Sequence, residues 1–289
     1  MIGSTGRCSI ALAVALLLTS VQAMAVSCPP QLTGKIPPRA PDALDGSQFI
    51  RHVAAMEPEE REAAIVAEVL SGNIPAFLRE LVPIEVTGAF DGEGQAPVSA
   101  TLCVIPDYLA IGSDDDFVRM PMNFRSSTRI AREFGFVLPT DRIVDAVHRQ
   151  ADYQFSPQPL KPGPGMMLPH YFRTHDRRIR EQGLRDGVPP GTLVAGHKKD
   201  VVLSNLLNQR GGRIAIYGWH YRDGTPIQPL STAHHAGYAD YSHGIRLVSE
   251  FITIEGERYS IYDVLRDTDL LNGDGAIRNV DTLMGQTSL

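Results

Sequence analysis

Cysteine is scarce in this sequence, and its scarcity limits which catalytic and metal sites the protein can contain. Three cysteines occur among 289 residues, none of them after Cys103. No Cys-X-X-Cys pair occurs either. A cysteine protease or a cysteine-ligated zinc site in the C-terminal half is therefore excluded. Beyond the N-terminal region, no segment approaches the roughly 18 apolar residues that a membrane-spanning helix needs, so we expect no transmembrane segment.

Positive charge is also in short supply. The chain has 27 basic and 33 acidic residues, and its formal net charge is −6. A nucleic-acid partner usually requires a basic face, and so does docking on anionic lipid. The charge balance argues against both. Hydrophobic residues make up 43% of the chain, which indicates a folded protein of one large domain or two small ones.

The first 25 residues have the three parts of a secretory signal. Arg7 supplies a positive start, and residues 10–18 form an uninterrupted apolar run that is too short to span a bilayer of about 30 Å. Ala23 and Ala25 place small residues at the −3 and −1 positions of a cleavage site before Val26. We therefore expect residues 1–25 to be a signal peptide and the mature protein to be extracellular or periplasmic.

Export removes Cys8 with the signal and leaves Cys28 and Cys103. In an oxidising compartment these two are expected to form one disulfide, which would attach the N-terminal arm to a strand near residue 103. Two unpaired thiols are one alternative. In another, residues 25–28 (Ala-Val-Ser-Cys) match a lipoprotein cleavage site, and Cys28 would then be acylated and anchor the protein.

The order of helical and strand patterns predicts an α+β fold. We expect a helix-rich N-terminal part with a short sheet, followed by a C-terminal part of mostly antiparallel strands. The expected units are an irregular arm (26–46), an α+β segment (47–155), a proline-rich linker (156–169) and a histidine-rich, mostly β segment (170–289). The last unit could also continue the same domain as residues 47–155.

Periodicity and capping residues predict the individual elements. A helical pattern covers residues 47–70 in two pieces, and Thr140 is a good N-cap for a helix over 141–153. Further helices are predicted at 73–81, 124–136 and from 263, and strands at 84–87, 99–104, 108–111, 201–207, 213–219, 238–254 and 258–262. Residues 272–275 (Asn-Gly-Asp-Gly) partly match a calcium loop, but Leu270 stands where the first ligand belongs, so a turn is predicted.

Histidine is concentrated in one region. Seven of the nine histidines lie between His170 and His243, and histidine is the commonest metal ligand and proton-transfer group near neutral pH. Most of them fall in three patches: residues 196–200 (Gly-His-Lys-Lys-Asp), 217–220 (Tyr-Gly-Trp-His) and 234–246. Because the patches lie at predicted strand ends, where rigid scaffolds present reactive groups, we expect them to meet in one pocket.

A strand over 238–247 would sort its side chains onto two faces. The polar face would carry Tyr238, Asp240, Ser242 and Arg246. The opposite, apolar face would carry Tyr241, His243, Ile245 and Leu247. The polar row could bind or transform a polar substrate, or it could simply be a solvated face.

A metal-dependent site is one possibility. His234 or His235, together with Asp240 and one of His220, His243 or His197, would give the two imidazoles and one carboxylate of a catalytic zinc site. The water bound to the metal could then attack an amide or ester. Residues 231–240 resemble the zinc carboxypeptidases that cleave the D-Ala-D-Ala ends of peptidoglycan. However, Ser231 lies one residue too far from His234, and Asp240 lies one residue too close. The candidate metal ligands are His220, His234, His235, Asp240 and His243.

A metal-free site is the other possibility. His197 or His220, oriented by Asp200 or Asp240, could act as a general base. Ser242 could be the nucleophile, with Lys198 or Arg246 stabilising an oxyanion. No Gly-X-Ser-X-Gly motif surrounds Ser242, however, so the sequence gives little support to a serine hydrolase. The candidate catalytic residues are His197, Asp200, His220, Tyr238, Ser242 and Arg246.

These patterns favour a secreted hydrolase, with or without a metal, acting on amide or ester bonds of an extracellular or cell-wall polymer or peptide. One alternative is a non-catalytic carbohydrate-binding module that stacks Trp219, Tyr238 and Tyr241 on sugar rings. Another is a polysaccharide lyase that uses tyrosine, histidine and arginine on an acidic polysaccharide.

Overall fold

A computed structural model of the protein describes residues 27–90 and 96–285. The predicted signal peptide and Cys8 lie outside the described residues. The predicted α+β class is confirmed, since helices alternate with several mainly antiparallel sheets. The α-helices of the described residues are α1 (Gly46–His52), α2 (Pro58–Leu70), α3 (Phe124–Phe134), α4 (Asp141–Gln150), α5 (Pro169–Arg185), α6 (Leu206–Gln209), α7 (Ile261–Asp267) and α8 (Val280–Leu283).

Thirteen strands are found in the same residues. They are β1 (Val82–Gly88), β2 (Val98–Val104), β3 (Ala110–Gly112), β4 (Phe117–Arg119), β5 (Phe136–Val137), β6 (Tyr153–Gln154), β7 (Val194–Ala195), β8 (Lys199–Val202), β9 (Ala215–His220), β10 (Pro226–Ser231), β11 (His243–Gly244), β12 (Val248–Ile254) and β13 (Glu257–Ser260).

The larger sheet joins the two ends of the chain. Its order is β1-β2-β12-β13, and β5 also pairs with β12. The β2–β12 ladder is antiparallel and places Leu102 opposite Ile252 and Ala100 opposite Ile254. All four side chains are buried. The segments on either side of the proline-rich stretch therefore contribute to one sheet and one apolar core.

The smaller sheet carries residues of all three histidine patches. Its order is β10-β9-β8-β11, with β8 antiparallel to β9 and parallel to β11. The register sets Lys199 between Gly218 and His243. It also sets Asp200, whose side chain points to the other face, between Tyr217 and Gly244. This alternation separates the polar residues into two groups.

Local signals set the helices around the sheets. The predicted cap of α4 is confirmed, because the Thr140 hydroxyl accepts a hydrogen bond from the backbone N–H of Ile143 at 3.3 Å. In α3, the Asn123 side chain caps the first turn, and Gly135 ends the helix at a φ of 78°, which favours glycine. The two predicted helical pieces over 47–70 correspond to α1 and α2.

The strand predicted over residues 238–247 is wrong. Only β11 is extended there, and residues 239–249 are all buried, so no solvated face alternates with an apolar one. Helix α5 was not predicted, although it is 17 residues long. Its buried side includes His175, Asp176 and Gln182 beside Phe172 and Ile179. These polar residues hide the apolar period from which an amphipathic helix is recognised.

The predicted disulfide is confirmed. Cys28 and Cys103 are bonded, with their Cα atoms 5.8 Å apart. The bridge attaches the N-terminal arm to β2, as the sequence indicated. Among the described residues, no helix combines the length and apolar character that crossing a bilayer would require.

Candidate functional site

One polar group surrounds Asp240 on the face of the smaller sheet that carries Lys199. We call it the Asp240 cluster, and its members are Lys199, His234, Tyr238, Asp240, Ser242 and His243. Tyr238 donates its hydroxyl to Asp240 Oδ2 at 3.1 Å. Ser242 donates its backbone N–H at 2.8 Å and its hydroxyl to Oδ1. These bonds close a tight turn at residues 240–243, which the Asp240 carboxylate organises.

Three members of the cluster are within reach of solvent. Lys199, His234 and Tyr238 are half-buried, while Asp240, Ser242 and His243 are buried. The His234 ring stacks on Tyr238 with ring centres 4.0 Å apart. On the inner side, the Tyr238 ring lies 5.7 Å from that of His243. The cluster is thus layered, with an accessible imidazole and ammonium above a buried carboxylate.

The environment sets the charge of each layer. Burial alone would raise the pKa of Asp240, but His243, the Ser242 hydrogen bonds and Lys199 outweigh it, so the pKa is lowered. Burial lowers the pKa of His234, and it lowers that of His243 to about 4. At neutral pH the cluster therefore holds an ionised carboxylate and two neutral imidazoles.

A second group occupies the opposite face of the sheet. Asp200 accepts the Tyr108 hydroxyl at 2.7 Å, and Arg246 Nε lies 4.0 Å away. Burial raises the pKa of Asp200 to about 6. His220, which lies 3.0 Å from Asp145, lines a narrow void together with this pair. Arg246 is therefore separated from Asp240, contrary to the predicted single polar row.

His220 has a separate set of partners within this second group. Its Nε2 lies 3.0 Å from Asp145 Oδ1, and the Tyr217 hydroxyl donates to the same oxygen at 2.9 Å. The His148 ring stacks on it with centres 4.6 Å apart. Asp145 is the solvent-facing member, because 38% of its side chain is exposed.

A third group is a buried ion-pair network that the sequence did not reveal. Arg119 forms ion pairs with Asp107 at 2.6 Å and Asp176 at 2.9 Å, and His197 Nε2 lies 3.0 Å from Asp107. Burial opposes ionisation of Asp107, but Arg119 and then His197 outweigh it and hold its pKa far below the usual value. Burial lowers the pKa of His197 to about 4. The one sequence signal for this network was Arg119, a charged residue within the otherwise apolar run Phe-Val-Arg-Met at 117–120.

A cleft of about 230 Å³ opens onto this network. Its walls are mainly apolar, and Asp107 and Arg119 lie at its floor. Their hydrogen-bonding groups are already satisfied by one another, by Asp176 and by His197. The floor therefore holds few free polar groups that could bind a ligand.

Lys198 lies between the network and the Asp240 cluster. It is buried, and Nζ donates to the backbone carbonyl of Tyr241 at 2.7 Å. Burial lowers its pKa to about 7, against the opposing effect of Asp176. Since almost none of the side chain reaches solvent, we do not place Lys198 among the groups that touch a substrate.

The three patches thus adjoin one sheet without sharing one pocket. His197 lies within hydrogen-bond distance of Asp107, and His220 lies within hydrogen-bond distance of Asp145. His243 interacts electrostatically with a third carboxylate, Asp240. The predicted pairings of His197 or His220 with Asp200 or Asp240 are not hydrogen bonds of this structure. Ser242 is fully buried and its hydroxyl donates to Asp240; in the part of the chain that the structure describes, no imidazole is hydrogen-bonded to this hydroxyl.

The candidate metal ligands are likewise divided. His220 lies with Asp145, and His235 is exposed, 6.1 Å from the Tyr238 ring. His234, Asp240 and His243 remain in one cluster. Within residues 27–90 and 96–285, no three His, Cys, Asp or Glu side chains are placed so that they could hold one metal ion.

The aromatic residues do not form a sugar-binding platform. Trp219 and Tyr241 are 5% and 2% exposed, so neither presents a ring face to solvent. Trp219 also has a φ of 56°, unusual for a residue with a side chain, and its ring packs near Lys199 and His175. Tyr238 is more open, but burial and then Asp240 raise its pKa well above the usual value, which is the wrong direction for the tyrosine base of a lyase.

Comparisons of the chain with protein-family models, with curated proteins and with solved structures found no match.

Proposed function

We propose that this chain is an exported hydrolase that cleaves amide or ester bonds of an extracellular polymer or peptide, with the Asp240 cluster as its active site. One observation carries the proposal: a half-buried neutral imidazole, His234, and a half-buried ammonium, Lys199, lie at the surface of a cluster whose buried member is the ionised Asp240. The attack of water on a carbonyl requires a general base to take the proton of the water and a cation to stabilise the carbonyl oxygen.

In the proposed reaction, His234 takes a proton from water as the water attacks the carbonyl carbon. Lys199 then stabilises the negative charge that develops on the carbonyl oxygen. Asp240 is a positioning residue, because it holds the Tyr238 hydroxyl and the turn that carries His243. The protonated His234 finally donates its proton to the leaving nitrogen or oxygen, which restores the site.

Export is part of the proposal, and two observations support it. Residues 1–25 have the composition of a signal peptide. The Cys28–Cys103 disulfide is of the kind that persists in oxidising compartments. A polymer or peptide outside the cell is then the substrate that such an enzyme would meet.

The test uses mature protein, residues 26–289, with p-nitrophenyl acetate, labelled casein and peptidoglycan sacculi as separate probes. We expect His234→Gln and Lys199→Met to lower the rate on the probe that is cleaved by about 10²-fold or more. The matched control is His52→Gln, an exposed histidine on α1 far along the chain from the cluster. An unchanged rate in His234→Gln would refute the assignment.

The pH profile and metal content sharpen the test. Because His234 must be neutral and its pKa lies below the ordinary 6.5, the rate should already be maximal at pH 7 and should fall only in more acidic buffer. Elemental analysis separates the metal-free form of the proposal from a zinc-dependent one. Stoichiometric zinc that is lost in Asp240→Asn and His243→Ala would assign the metal-dependent form.

A further inference from the structure

Helix α5 presents an unusually basic face for a protein with a net charge of −6. The buried side of the helix packs on the fold through Phe172, His175 and Ile179. The opposite side contains one apolar residue, Leu184, and one acidic residue, Glu181, among arginines. The exposed arginines of this face, which we call the arginine face, are Arg173, Arg177, Arg178 and Arg185. Arg180 is not one of them, because it is half-buried, lies 3.8 Å from Asp116 and donates to the backbone carbonyls of Asp115 and Phe117.

Little of this positive charge is neutralised within the protein. Arg177 lies 3.8 Å from Glu181, and both side chains are more than 60% exposed. Arg185 lies 3.0 Å from Asp186 and is 68% exposed. Exposed pairs of this kind are weak and exchange readily with other anions. Arg173 has no ion pair within the described part of the chain.

The arginine face continues beyond the start of the helix. A hollow of about 240 Å³ lies between α1 and α5, and its lining includes Arg51, Leu168, His170 and Arg173. Arg51 and Arg173 therefore border the same depression from two different helices. The hollow adds a concave end to an otherwise convex row of guanidinium groups.

We propose that the arginine face binds an anionic extracellular polysaccharide. Arg173 and Arg185 are twelve residues apart, about 18 Å along the helix axis, so the face suits a linear chain of repeated charges. Guanidinium groups bind carboxylate and sulfate groups with paired hydrogen bonds. A membrane fits less well, because the apolar side of α5 is buried in the protein and has no side chains to insert.

This interaction goes beyond the proposed reaction and does not depend on it. The experiment measures the Kd of the mature protein for immobilised heparin and polygalacturonate, at about 50 and about 200 mM NaCl. The test variant is Arg173→Glu/Arg177→Glu/Arg178→Glu. The matched control is Arg125→Glu/Arg129→Glu/Arg210→Glu, which changes the net charge equally at three exposed arginines outside α5.

We expect the wild type to bind at least one of the two polymers, more weakly at the higher salt concentration. The α5 variant should lose affinity on the order of 100-fold, and the control less than about threefold. Circular dichroism verifies that both variants are folded. Absence of binding at about 50 mM NaCl, or equal losses in the two variants, would overturn the proposal. So would equal or tighter binding to duplex DNA or phosphatidylglycerol vesicles.

Discussion

Replacing Arg119 with methionine should be among the most damaging single changes to the fold. The Arg119 side chain is 6% exposed and donates to Asp107 through Nε and Nη2 and to Asp176 through Nη1. Methionine fills a similar volume without charge. The substitution leaves two buried carboxylates without their cation, and breaking one buried pair in this way costs about 3–5 kcal/mol. We expect a loss of about 5 kcal/mol at pH 8, because two pairs are broken and only His197 remains beside Asp107.

The pH dependence of the loss identifies its cause. In the wild type, the pKa of Asp107 is held far below its ordinary value, chiefly by Arg119 against the effect of burial. Without Arg119, burial dominates and the pKa of Asp107 rises above that of the unfolded chain. A raised carboxyl pKa means that the folded variant binds a proton which the unfolded chain does not, so acidification reduces the deficit. The loss at pH 5 should therefore be smaller than at pH 8.

The free energy of unfolding is measured by urea titration at both pH values, with the fluorescence of Trp219 as the signal. This is the only tryptophan of the chain, and it is buried, so unfolding changes its environment. The control is Arg266→Met, whose guanidinium pairs with Asp263 and Asp281 at the surface and should contribute about 0–1 kcal/mol. A loss below about 1 kcal/mol for Arg119→Met, or one independent of pH, would refute the reasoning.

Two further predictions concern the disulfide and the response to acid. Removing the bridge in a Cys28→Ser/Cys103→Ser variant releases a loop with a sequence separation of 75, which should lower the free energy of unfolding by about 4 kcal/mol in a urea titration; an unchanged midpoint would contradict this. Since the pKa of His197 is lowered to about 4, the unfolded chain takes up a proton first as the pH falls below 6.5. Between pH 6.5 and about pH 4, protonation of His197 in the unfolded chain should therefore lower the free energy of unfolding by about 1.4 kcal/mol per pH unit. His197→Asn should reduce this slope, as measured by urea titrations at pH 7 and pH 5.

Local patterns predicted the elements whose causes are local. Thr140 caps α4 because its hydroxyl reaches a backbone N–H three residues ahead, and this depends on no distant residue. The two helical pieces α1 and α2 and strand β2 also follow from short-range periodicity. The disulfide was predictable for a different reason: once the signal peptide is set aside, only two cysteines remain to pair.

What the tertiary structure decided is which polar groups lie together. Arg119 meets Asp107 and Asp176 across distances of 12 and 57 residues along the chain, so no spacing rule could pair them. The same network includes the buried Asp176 of α5, and with the buried His175 and Gln182 this residue interrupts the apolar stripe by which that helix would be recognised. At residues 240–243 the Asp240 side chain bonds its own backbone in a turn, where alternation alone predicted a strand. Signals within a few residues could thus be read from the sequence, whereas the partners of buried charges are set by the fold as a whole.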